Sequence, residues 1–167
     1  RTYLVGLLVL GFGYAEGSAT DWMPLALVDE RGFDNATAAL LLTVFMVAMT
    51  TMRLLGGPLV DRLGRVPVLL GCALLAIAGL ATVIFVPDPV AITIGVVAWG
   101  LGSALGFPLG MSAAADDPAT ANARVSAVAI VGYFAFLVGP VLVGYVGEQI
   151  GVLSALTIVL GLLVMAG

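Results

Sequence analysis

Apolar residues fill six long runs along the chain, separated by short charged turns or by clusters of proline and glycine. A hydrocarbon core ~30 Å thick takes about 20 residues of helix per crossing. The runs therefore predict six transmembrane helices over approximately 3–27, 37–60, 67–86, 91–113, 121–147 and 152–167. The fold class that follows is an all-α membrane protein. Local punctuation supports these boundaries. Asp117-Pro118 reads as an N-cap followed by proline at the first helical position of the fifth helix, with Asp116 and Asp117 favouring its positive dipole end. Pro67 is expected in the same first position of the third helix, Pro87-Asp88-Pro89 parts the third from the fourth, and Gly147 to Gly151 marks the turn before the sixth.

Composition narrows the solvent. Hydrophobic residues make up 62% of the 167 and charged residues 10%, with a mean hydropathy of +1.20, whereas soluble domains are roughly a quarter charged. No charged segment, short apolar run and small-residue cleavage site stand together at the front, so 3–27 reads as a span rather than a signal peptide. The chain opens at Arg1 and stops at Gly167 within an apolar run, which predicts a piece of a longer protein. Cys72 is the single cysteine and histidine is absent, so neither an intrachain disulfide nor a cysteine- or histidine-based metal site is expected, and no cofactor is implied. A net charge of −4 argues against nucleic acid as a partner.

Loop arginines set the expected orientation, because cytoplasmic loops carry an excess of Lys and Arg. Arg1, Arg62, Arg65 and Arg124 fall on one side and Arg31 on the other, beside Asp29, Glu30, Asp34, Asp88 and Glu148. The 61–66 turn and both termini are then cytoplasmic.

Helices in lipid associate through small residues that let backbones approach. Ala98, Gly102, Gly106 and Gly110 recur at i+4 steps on the fourth span, so one other helix is expected along that stripe. Pro108 and Pro140 each remove a backbone hydrogen bond and predict kinks in the fourth and fifth spans, either for packing alone or to let a gate move.

Three ionisable residues fall within the first two spans, where a charge costs at least ~2.5–3.5 kcal/mol and so normally faces a protein interior or a wet pathway. At 1.5 Å per residue, Glu16 lies about 20 Å from the inner end of its helix and Asp21 about 27 Å, near the outer interface where Trp22 suits the headgroup belt. Around Glu16, the stretch Gly11 to Thr20 holds three glycines and the hydroxyls of Tyr14, Ser18 and Thr20, the makings of a discontinuous helix and a midplane substrate site. A structural hydrogen bond is the alternative role for Glu16. Arg53 lies about 10 Å from the cytoplasmic end of the second span. Its long arm has two possible partners, Asp61 at the rim or Glu16 deeper in.

The turn Gly57-Pro58-Leu59-Val60-Asp61-Arg62-Leu63-Gly64-Arg65 reads as G-x-L-x-D-R-x-G-R, which resembles the signature loop of the major facilitator superfamily of secondary transporters. Gly139-Pro140-Val141-Leu142-Val143-Gly144 resembles that family's G-P-x-x-G-G motif in part, Val143 standing where a glycine is expected. The resemblance implies one half of a twelve-helix fold, built from two inverted three-helix repeats. It implies that Asp61, Arg62 and Arg65 form a cytoplasmic conformational lock, with Gly57 allowing close approach and Gly64 a tight turn. First halves often carry R-x-x-x-G-x-G on the fourth helix; Val96 occupies the arginine position here, which favours the C-terminal half. The partners so implied are a small solute, the lipid bilayer, and either a second six-helix half or a homodimeric copy.

The function expected is transport of a small solute by alternating access in a bacterial inner membrane. Glu16, Arg53, Asp21 and Tyr14 are the candidate substrate or proton pathway, in a cavity lined by the first, second, fourth and fifth helices. A channel-like or assembly lobe without coupling chemistry is the rival. An intramembrane enzyme is disfavoured by the lack of histidine and of paired carboxylates at helical spacing.

Overall fold

In hydrocarbon every backbone polar group has to be satisfied by the protein itself, and a helix does this within one segment, so apolar runs of this length become helices. The computed structural model describes residues 2–166. Arg1, counted for orientation above, lies outside the described residues. Among these the helical segments are α1 Thr2–Arg31, α2 Asn35–Leu63, α3 Arg65–Phe85, α4 Pro89–Ser103, α5 Gly106–Ala114, α6 Ala121–Ile150 and α7 Val152–Ala166. Four stretches are long and apolar enough to cross a membrane: α2, α3, α4 with α5 as Pro89–Ala114, and α6. α1 has 30 residues but carries Glu16 and Asp21 in its course, and α7 is apolar over 15.

The helix ends differ from the expected ones for definable reasons. The 61–66 turn contracts to Gly64, whose φ of +85° reverses the chain in one residue while its N–H bonds to Val60 O at 2.8 Å. Asp61, Arg62 and Arg65 are consequently helical. Pro67 is the third helical residue of α3, not the first, still within the turn whose N–H groups need no partner. Asp117-Pro118 does not start the fifth span. Asp117 instead closes a turn, accepting from Ala119 N at 3.1 Å and Thr120 Oγ1 at 2.8 Å, and α6 begins at Ala121. Those bonds, with the Thr120 hydroxyl foremost, hold the Asp117 carboxyl below the usual carboxylate range. Asp34 and Asp88 do cap helices, accepting from Thr37 N at 3.0 Å and Ala91 N at 2.8 Å. α1 is continuous, so the discontinuity expected around Glu16 is absent. Its glycines pack instead: Gly13 against Ala135, Gly17 against Phe136.

α1 runs through the centre of the lobe, against α2, α5, α6 and α7, while α3 packs on α4 and α4 on α2. The small-residue stripe serves two neighbours rather than one. A Cβ on Gly102 would strike the backbone of Cys72 and Ala76 in α3, whereas Gly106 and Gly110 lie against Phe12 and Val9 of α1. The partner changes because the span breaks at Ala104-Leu105. Gly79 completes the α3–α4 contact, a Cβ there running into backbone of Trp99 and Gly95.

Two residues read as loop charges tie the end of α1 to its neighbours. Arg31 Nη2 donates to the carbonyls of Val83, at 3.3 Å, and Ile84, in the last turn of α3. Glu30 Oε1 accepts from Leu153 N at 3.0 Å, at the start of α7. Each charge sits at the helix end whose dipole it complements.

Gly79→Val is expected to lower the stability of the solubilised protein by about 1–3 kcal/mol or more, since backbone cannot move aside. Gly71→Ala on the same helix, where a Cβ meets open space, should be neutral or stabilising. Thermal unfolding in detergent separates the two outcomes; equal losses would dismiss the close-approach account.

Candidate functional site

The break between α4 and α5 follows from Pro108. An α-helical residue donates its N–H to the carbonyl four positions earlier, and proline has no N–H while its ring crowds that carbonyl. For Pro108 the carbonyl is that of Ala104, a residue buried to 0% exposure. Leu109 N resumes the pattern on Leu105 O at 3.0 Å. The orphaned oxygen is met from another helix: Arg53 Nε donates to Ala104 O at 3.2 Å.

The same guanidinium answers the open question of Arg53's partner. Its Nη2 lies 2.9 Å from Glu16 Oε1 and 2.8 Å from Oε2, and Asp61 is not involved. Arg53 therefore joins α1, α2 and the α4 terminus through one side chain. Side-chain exposure is 40% for Arg53 and 17% for Glu16, so the pair opens onto the surface of the lobe rather than lying sealed in its core. Both charges in an apolar segment are thus neutralised by one contact, the condition under which burial of an ion pair is tolerable.

The other expected pathway residues are elsewhere. Tyr14 leaves α1 roughly 200° from Glu16; it is buried with its ring 3.1 Å from the Cβ position of Gly139 on α6. Asp21 is exposed and, among the described residues, makes no side-chain hydrogen bond or ion pair. Trp22 is not a free belt residue. Its Nε1 donates to Pro140 O at 3.0 Å and its ring lies over Gly144, so the Gly139-Pro140-Gly144 face is the seat for Tyr14 and Trp22. α6 itself is helical straight through Pro140.

The motif residues divide. Arg65 Nη1 meets Asp116 Oδ1 and Oδ2 at 2.7 and 2.9 Å, joining the start of α3 to the turn after α5, with both side chains well exposed. Asp61 and Arg62 are exposed in the last turn of α2 and have no ion pair among the described residues. Gly57 faces open space, and it is Gly56 that packs, against Leu105.

Sequence reasoning missed Ala104, Asp116 and Gly56. For Ala104 the signal was present: a proline inside a span implies an unpaired carbonyl four residues earlier. For Asp116 no local signal exists, because its partner is 51 residues away.

Residues 4–167 match the family model described as Major Facilitator Superfamily. The chain is 33% identical over 158 residues to an uncharacterized MFS-type transporter of Yersinia pestis, covering 94% of this chain and 40% of that protein. It is 35% identical over 147 residues to an uncharacterized transporter of Sinorhizobium fredii, covering 87% and 39%. With the membrane protein MosC of Rhizobium meliloti it shares 26% over 161 residues, 96% and 40%. The chain thus spans about 40% of the length of these curated relatives. No solved structure matches it.

A double-mutant cycle with Glu16→Gln and Arg53→Met is expected to give a coupling free energy on the order of 1 kcal/mol in unfolding, as for a part-exposed pair. Additive losses would mean that the contact contributes nothing beyond its separate residues.

Proposed function

The chain belongs to the major facilitator superfamily of membrane transporters, and we propose that it forms one six-helix lobe of a secondary transporter that moves a small solute by alternating access. In this reading α4 and α5 are the two parts of one crossing and α1 and α7 are the first and last. The missing arginine at Val96 makes it the C-terminal half. Its partner is a second six-helix half, a reading supported by the length of the relatives, of which this chain spans about 40%; a homodimeric copy is the other arrangement. The membrane is the bacterial inner membrane, with the Arg62 and Arg65 end cytoplasmic by the arginine count.

One observation carries the proposal: the Glu16–Arg53 pair, held on apolar helices and partly open to the surface. Glu16 is the group that exchanges a proton or cation during the cycle, and Arg53 is the counter-charge that neutralises it when it is ionised. Asp61 and Arg62, without an ion pair among the described residues, suit a lock that closes against the opposite half. Arg65 serves that lock indirectly, fastening α3 to the turn at Asp116 so that the α2 terminus is presented rigidly.

Whole transporter reconstituted in proteoliposomes is expected to show saturable uptake driven by an imposed pH gradient. Glu16→Gln should reduce the gradient-driven component by about tenfold or more while leaving counterflow exchange measurable. Gradient-driven uptake that persists undiminished in the variant would remove the coupling role. Asp61→Asn should alter the ratio of inward- to outward-facing protein, read by accessibility labelling, without abolishing binding; an unchanged ratio would take the lock away from Asp61.

A further inference from the structure

The contacts of Arg53 are lopsided, and the lopsidedness says what the residue is built to hold. Arg and carboxylate pair best side by side, two nitrogens on two oxygens. Here a single nitrogen, Nη2, contacts both oxygens of Glu16. Nη1 has no partner among the described residues, on a side chain that is 40% exposed. Nε is committed elsewhere, to the carbonyl of Ala104.

The two anchors of Arg53 are not equivalent. Ala104 O is a permanent acceptor, because Pro108 can never supply the N–H it lacks. It also terminates α4, whose negative dipole end favours a cation. The Glu16 carboxylate has only Arg53 among the described residues. When Glu16 is neutralised, Arg53 therefore keeps its place and its direction, and both Nη groups are free. Among the described residues no other acidic or basic side chain contacts them. α4, α5 and α7 have none, Arg124 and Glu148 stand near opposite ends of α6, Arg65 is paired with Asp116, and Asp61 and Arg62 lie two turns further along α2. Asp21 is on α1 beyond Thr20 and exposed.

We propose that Arg53 is a carboxylate-binding residue, aimed by the Ala104 carbonyl, and that the transported solute is a small organic carboxylate which replaces Glu16 on the guanidinium. This rests on reading the pair as the pathway centre and adds the class of cargo. With Glu16 ionised the site is neutral and a second anion is opposed. With Glu16 carrying a proton the site is one charge positive, and one carboxylate restores neutrality. One proton then accompanies one carboxylate. A cationic solute fits less well, since it would have to evict Arg53 from Ala104 as well as from Glu16.

The experiment measures equilibrium binding of acetate, lactate and benzoate to the purified whole transporter in detergent, with methylammonium and mannitol as cationic and neutral controls. Glu16→Gln removes the internal competitor and is expected to tighten binding of at least one carboxylate by about tenfold or more, leaving the controls unchanged. Adding Pro108→Ala restores an N–H for Ala104 O, frees Arg53 from its anchor and should cancel most of that gain. Adding Arg53→Lys should abolish it. If Glu16→Gln does not yield monodisperse protein, Glu16→Asp is expected to give a smaller gain in the same direction. No gain for any carboxylate, or a gain indifferent to Arg53→Lys, overturns the proposal. The binding assay needs no gradient, so loss of the coupling role in proteoliposomes and loss of the carboxylate site are separate results.

Discussion

Pro108 has no N–H to offer the carbonyl of Ala104, and in an apolar bundle that oxygen needs a donor from somewhere else. The donor is Arg53 Nε, 51 residues away in sequence. Much of the lobe's character depends on this one substitution of a side chain for a backbone bond. It ends α4, lets α5 start afresh at Gly106, and fixes a guanidinium where Glu16 of α1 can meet it. A charge that would be costly alone in hydrocarbon becomes the element that satisfies two otherwise unpaired groups.

The same logic recurs at the helix ends. Arg31 serves the last carbonyls of α3, and Glu30 serves the Leu153 N–H in the first turn of α7. The signs follow the helix dipoles, positive at a C-terminus and negative at an N-terminus. At the opposite end Arg65 and Asp116 meet each other rather than a helix dipole, with the weaker contribution expected of exposed charges. In a chain with so few charges, most of those described are placed where a helix terminus or another charge receives them. Asp61 and Arg62, an adjacent pair at the end of α2, have no ion pair among the described residues, as is also true of Asp21.

Between the ends, contact is made by absence of side chains. Gly79, Gly102 and Gly106 sit so near neighbouring helices that a single methyl group would collide with backbone or ring atoms. Dispersion falls off steeply with separation, so such approach is how helices hold together where lipid removes the hydrophobic drive. The spacing Ala98, Gly102, Gly106, Gly110 could be read from the chain, yet not that its two halves face different helices. The break at Ala104-Leu105, just ahead of Pro108, turns the stripe.

Periodicity, hydropathy and a short motif were sufficient for the helical class and the family, because each depends on residues close in sequence and on the solvent around them. Helix ends were less certain, since Gly64 can reverse a chain in one residue where a longer turn is expected. Which charge meets which was undetermined: Arg53 had Asp61 within reach along its own helix and Glu16 across a gap of uncertain size. That choice belongs to tertiary structure, where α1, α2 and the broken end of α4 converge, and the reason is the carbonyl of Ala104. It draws the guanidinium across to α4, away from Asp61, and brings Nη2 to Glu16.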